Sequence, residues 1–90
     1  MQFEYDPAKS DSNLEKHGIS FDEAIEMWGS RTVEFPVASK GEDRFIAVGR
    51  IAGEYWTAVC TMRGERVRII SVRRSTGKER SAYDREENRR

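Results

Sequence analysis

Three apolar runs joined by very short links constrain this chain more than any other feature. Arg44–Ala52, Tyr55–Met62 and Arg66–Arg73 are rich in β-branched and aromatic residues, and Gly53-Glu54 and Arg63-Gly64-Glu65 separate them. A parallel crossover takes a dozen or more residues, so links this short demand antiparallel hairpins. The last run is apolar at Val67, Ile69, Ile70 and Val72, on both faces of a strand, which places it centrally in the sheet.

Helix signals flank this meander. Gln2–Tyr5 reads as a short first strand. Asp6-Pro7 then opens a helix, because Asp caps free N–H groups and Pro at the first position loses no hydrogen bond. That helix runs to about His17, where Gly18 supplies a left-handed stop. Ser20-Phe21-Asp22-Glu23 is a capping box that starts a second helix through Ala24, Ile25 and Trp28, ended by Gly29. Arg31–Phe35 is a strand closed by Pro36, and Ala38–Asp43 a loop. Thr76-Gly77-Lys78-Glu79 is a second capping box, opening a C-terminal helix with little beyond Ala82 and Tyr83 to bury.

The order is β-α-α-β-β-β-β-α, and 90 residues make one domain spanning 1–90. The expected class is α+β. Two N-terminal helices pack on one face of an antiparallel four- to five-stranded sheet, the other face stays partly open, and a C-terminal helix follows. Phe21, Trp28, Phe45 and Trp56 are needed for the core of so small a domain.

A formal net charge of zero hides a division along the chain. Residues 1–43 carry ten acidic groups against four basic ones (Lys9, Lys16, Arg31, Lys40), whereas residues 44–90 carry twelve basic against six acidic. Such asymmetry suits a polyanion, an oppositely charged partner, or neutralisation between the two halves. The lone Cys60 cannot form an internal disulfide, which fits a reducing compartment. No stretch approaches the roughly 18 apolar residues of a membrane span, and the N-terminus lacks a signal pattern. The expectation is a soluble cytoplasmic protein without membrane contact.

Chemistry concentrates in three places. At 100° per residue, Lys9, Asn13, Lys16 and His17 share one arc of the first helix, whose apolar members are Ala8 and Leu14. Histidine ordinarily titrates near pH 6.5, which suits proton transfer at neutral pH, although a cation near a helix C-terminus is also favourable without any function. Arg63, Arg66, Arg68, Arg73 and Arg74, then Lys78 and Arg80, form a dense basic run, and a guanidinium fork matches phosphate. Strict alternation points Arg68 and Arg73 to opposite faces unless a bulge intervenes. Glu79 and Tyr83 share one face of the last helix. A carboxylate, a phenol and fixed cations are the parts that metal-free RNA cleavage needs, though for this pair taken alone capping of the helix by Glu79 and packing of Tyr83 are the better account. A Gly-rich phosphate loop, a nucleophile elbow and an acidic metal cluster are all missing from the sequence, which argues against NTPase, esterase and metallonuclease chemistry and calls for no cofactor.

Several blocks resemble the BrnT family of toxins. They are Phe3-Glu4-Tyr5-Asp6-Pro7-Ala8-Lys9, Asn13-Leu14-Glu15-Lys16-His17-Gly18-Ile19-Ser20-Phe21 with Glu23-Ala24, and Glu42-Asp43-Arg44-Phe45-Ile46-Ala47-Val48-Gly49. The last comprises Thr61-Met62-Arg63-Gly64, Arg68-Ile69-Ile70-Ser71-Val72-Arg73-Arg74, Lys78-Glu79-Arg80 and Tyr83. The resemblance implies a RelE-like fold, RNA cleavage that inhibits translation, and a BrnA-type antitoxin that masks the toxin. It also implies that this partner carries a ribbon-helix-helix DNA-binding domain, with a pair of toxin–antitoxin heterodimers as the expected assembly. Val72 departs from the pattern, where a small alanine-like residue is expected, and the tail Asp84 to Arg90 matches nothing in it.

Residues and resemblance together give a metal-independent endoribonuclease. Arg68, Arg73 and Arg80 hold the scissile phosphate, Lys9 and His17 join from the first helix, and Tyr83, Glu79 or His17 moves protons. Lys16, Arg63, Arg66, Arg74 and Lys78 bind RNA. The alternatives are a nucleic-acid-binding or antitoxin-binding regulatory module that never cuts, and an interaction protein whose basic half receives an acidic partner.

Overall fold

The computed structural model describes residues 1–38, 41 and 43–89. Ser39, Lys40, Glu42 and Arg90 lie outside these, and with them most of the expected Ala38–Asp43 loop. In chain order the elements are β1 (Gln2–Glu4), α1 (Pro7–His17), α2 (Phe21–Ala24), a 3₁₀ turn (Ile25–Gly29), β2 (Thr32–Val37), β3 (Arg44–Ile51), β4 (Glu54–Arg63), β5 (Arg66–Arg74) and α3 (Gly77–Glu87).

Local chemistry accounts for the helix ends. The Asp6 carboxylate accepts from the Ala8 N–H at 2.9 Å, Pro7 occupies the first turn, and Gly18 at φ 79° turns its N–H back to the Leu14 carbonyl. Both capping boxes close reciprocally, Ser20 with Glu23 and Thr76 with Glu79. The second helix is shorter than its pattern suggests. After one α turn it tightens into the 3₁₀ turn that ends at Gly29.

The sheet order is β1-β5-β4-β3-β2. From β2 to β5 the strands form the antiparallel meander that the short links require. β1 instead lies parallel to β5, Gln2 beside Arg66 and Glu4 beside Arg68, so the sheet is mixed. The middle strand is β4, with β5 interior beside it. β2 runs through Pro36 to Val37 because it is an edge strand, where a missing N–H breaks no ladder bond.

One sheet face carries the main core. Ile19, Phe21, Ala24 and Met27 pack there against Ala47, Trp56, Ala58, Cys60, Val67, Ile69 and Val72, with Trp28 and Phe45 partly buried beside them. Gly49 lets the 3₁₀ turn approach β3, since a Cβ there would stand 3.0 Å from that of Met27. The two N-terminal helices cover this face as expected. α3 takes the opposite face, over Tyr55 and Thr57 of β4, and buries Tyr83, Val48 and Thr57. The rest of that second face stays partly open. No helix among the described residues is long and apolar enough to cross a membrane.

Candidate active site

A β-bulge in β5 decides where the arginines point. Cys60 of β4 pairs with Ile69, but Val59 pairs with Ser71, so Ile70 is an extra residue. The phase of the alternation therefore changes in mid-strand. Val67, Ile69 and Val72 all reach the main core, although Ile69 and Val72 are three apart. Arg68, Ser71 and Arg73 consequently share the opposite face, the one that α3 partly covers.

Arg73 is held firmly. Its two terminal nitrogens donate to the two carboxylate oxygens of Glu79 at 2.7 and 2.9 Å, a bidentate pair across the start of α3. Glu79 also accepts from the Thr76 N–H and from the Thr57 hydroxyl, each at 2.9 Å. Thr57 is fully buried, and its oxygen lies 2.7 Å from the Ser75 hydroxyl. A hydroxyl has one proton, and that of Thr57 goes to Glu79, so Ser75 must donate to Thr57. The Arg73 guanidinium, aided by these donors, holds the Glu79 carboxyl down at about 2. It is a fixed anion at neutral pH and a poor proton acceptor.

The other sequence-selected residues disperse around this pair. Arg68 donates to Glu4 of the adjacent β1 at 2.7 Å. Arg74 faces the core side, its head 4.7 Å over the Trp56 ring and paired with Glu54. Arg66 reaches Gln2 at 3.3 Å, and Arg63 is exposed in the far hairpin, at the opposite end of β5 from Arg73. Lys78 is exposed on α3. Arg80 is exposed too, with its guanidinium 5.1 Å over the Tyr55 ring. Tyr83 is 6% exposed, donates to the Arg31 carbonyl at 3.3 Å and meets Tyr55 edge-on. Burial raises its phenol above the ordinary value, so here it anchors α3.

The basic arc of α1 divides around Asn13. That residue is 5% exposed and faces β5, where its amide bonds both the N–H and the carbonyl of Val72 and also the Ile19 carbonyl. Asn13 thereby replaces a neighbouring strand along the part of β5 that β1 does not reach. Ser10, 60° to one side of Asn13 on the helix wheel, turns to α2 and accepts from the Phe21 N–H. Lys9 and Lys16 lie to the other side, toward the sheet face of Arg68 and Arg73, whereas His17 lies on the Ser10 side. All three are exposed.

The pattern of residue types gave no warning of Thr57 and Ser75. A threonine inside an apolar strand, directly across from Arg73, was the available signal. Cys60 is inert, its thiol pushed up to about 12 chiefly by burial. Among the described residues no three His, Cys, Asp or Glu side chains converge as a metal site.

A buried acid–hydroxyl network that fixes one arginine beside a second on a half-open sheet face suits an anionic substrate. The family model described as a ribonuclease toxin, BrnT, of type II toxin–antitoxin systems matches residues 5–79. The chain belongs to the BrnT family. Membership makes it a ribonuclease toxin of a type II system, with an RNA substrate and an antitoxin partner. The BrnT match spans α1 through the Arg73–Glu79 pair and ends before Arg80 and Tyr83. No curated protein matches the chain.

Proposed function

We propose that this chain is a metal-independent endoribonuclease whose scissile phosphate sits over Ser71, between Arg68 and Arg73. The observation that carries this reading is the Ile70 bulge, which turns both guanidiniums to one face. Four strand steps of about 3.3 Å separate the two residues, roughly 13 Å, a span that two extended arginine side chains close from either end. The substrate phosphate displaces Glu4 from Arg68 and meets Arg73 in an orientation already set by Glu79.

Cleavage is attack of the 2′-oxygen on the adjacent phosphorus with departure of the 5′-oxygen. Arg68 and Arg73 stabilise the charge that builds on the equatorial oxygens, and Lys9 and Lys16 add cations from the flank of α1. His17, exposed on the Ser10 side of α1, points away from this phosphate, which leaves Lys9 and Lys16 on the facing flank for proton transfer. Glu79 serves as the support of Arg73, and Tyr83 as the anchor of α3. Arg63, Arg66, Arg74 and Lys78 extend the basic track along the RNA. A BrnA-type antitoxin with a ribbon-helix-helix domain covers the face of Arg68 and Arg73, two toxin–antitoxin heterodimers pair, and the toxin acts in the cytoplasm.

The test is RNA digestion by the purified chain in excess chelator. Cleavage is expected to persist, to fall at least a hundredfold in Arg73→Ala, and to change little in His17→Gln. Intact RNA with the unaltered chain, or activity that requires an added divalent ion, refutes the proposal.

A further inference from the structure

A polar hollow of about 330 Å³ lies beside the Arg73–Glu79 pair, lined by Gly53, Glu54, Tyr55, Arg74, Ser75 and Arg80. It sits where the β3–β4 turn, the end of β5 and the first turns of α3 meet. Ser75 links it to the candidate active site, because its hydroxyl bonds Thr57, which bonds Glu79. The charged groups here differ from the other arginines in how they are held. Arg68, Arg73 and Arg74 all give N–H donors to carboxylates. Arg80 instead lies over the Tyr55 ring at 5.1 Å and has no acidic partner among the described residues. Arg50 lies over the same ring at 4.9 Å and gives one donor to the Gly53 carbonyl. The ring is fixed in turn, its hydroxyl donating to Asp84 at 2.7 Å and one edge meeting Tyr83.

An aromatic face holds a guanidinium in place without consuming its N–H groups. Glu54 is matched by Arg74, and Asp84 offsets one of the two guanidiniums over the Tyr55 ring, so Arg50 and Arg80 together leave one surplus positive charge at the rim. We propose that this hollow binds the phosphate of the nucleotide next to the cleaved bond, with Arg80 as its principal fork and Tyr55 as a positioning residue. The inference rests on the nuclease reading and moves Arg80 from the scissile phosphate to a flanking one.

The experiment uses fluorescein-labelled 2′-O-methyl RNA, which cannot be cleaved, as a dimer and as a tetramer, with binding followed by anisotropy at several salt concentrations. The tetramer should bind the unaltered chain about tenfold more tightly than the dimer, as one charge-assisted contact provides. Arg80→Gln and Tyr55→Leu should lose that gain while binding the dimer unchanged, and Tyr55→Phe should keep it. For the tetramer, Arg80→Gln should also lower the slope of log K against log salt by about 0.7, the loss of one single-strand phosphate contact. Equal weakening of dimer and tetramer, an unchanged slope, or equal behaviour of the phenylalanine and leucine variants overturns the proposal. Because the probe resists cleavage, length-dependent binding with unmodified RNA left intact would uphold the subsite and refute the nuclease reading.

Discussion

Replacing Asn13 with alanine should cost this domain a large part of its stability. The side chain makes three hydrogen bonds of 2.8, 2.9 and 3.1 Å, to the Ile19 carbonyl and to both backbone groups of Val72, in a site 5% exposed. Alanine leaves two carbonyls and an N–H without partners, at roughly 1–3 kcal/mol for each buried group. Slight movement of α1 and entry of water offset part of this, so the expected loss is about 3–4 kcal/mol. A domain of 90 residues holds roughly 5–13 kcal/mol in all. The midpoint of thermal unfolding should then fall by about 15–25 °C. Urea titration gives the free energy directly, and the Val72 amide should change from protected to fast hydrogen exchange. Asn13→Asp sharpens the test. It keeps the shape and the acceptor for the Val72 N–H but sets a carboxylate oxygen against two carbonyls, so it should be as unstable as alanine at pH 7 and recover as the pH is lowered. A loss below about 1 kcal/mol in Asn13→Ala, or an unchanged Val72 exchange rate, would refute the reasoning.

Three further outcomes follow from the same contacts. Glu79 has its folded pKa depressed to about 2 against an ordinary 4.5, so its stabilisation is complete above about pH 4.5 and is lost as the pH falls toward 2. Glu79→Gln should remove about 2 kcal/mol at pH 7, after allowance for the partly exposed Arg73 head, and flatten the acid limb of the stability curve. Thr57→Val keeps the buried volume but breaks the bonds to Glu79 and Ser75; RNA cleavage should fall about tenfold through a looser Arg73, with unfolding shifted by only about 1–2 kcal/mol. Gly49→Ala would set a methyl group 3.0 Å from the Met27 Cβ, and calorimetry should show a loss of about 1–2 kcal/mol.

Much of the fold was legible because its signals are local. Turns at Gly53-Glu54 and around Gly64 admit only hairpins, and each capping box marks a helix start to within a residue. What escaped depends on partners far away in sequence. Nothing in Gln2–Glu4 announces a parallel pairing with Arg66–Arg68, and α3, apolar at little more than Ala82 and Tyr83, gives no hint of the face it covers. The site was legible in its residue types more than in its geometry. Arg68 and Arg73 were marked for phosphate, but alternation alone sends them to opposite faces, because a bulge at Ile70 leaves no mark in residue type. Asn13 shared an arc with Lys9, Lys16 and His17, yet its amide is committed to the backbone of β5. Glu79 and Tyr83 have side chains suited to proton transfer, and each is tied to a structural partner.

The parallel seat of β1 on β5 joins positions 64 residues apart, Glu4 with Arg68, so this edge of the sheet closes only across most of the domain. During synthesis the opening strand has no neighbour until Arg66 to Arg68 leave the ribosome, and Arg73 and Glu79 emerge only after that. A chain that stops short of β5 therefore lacks both a closed sheet and the shared face of Arg68 and Arg73. For a ribonuclease toxin, this topology withholds the face of Arg68 and Arg73 until β5 has taken β1 as its neighbour.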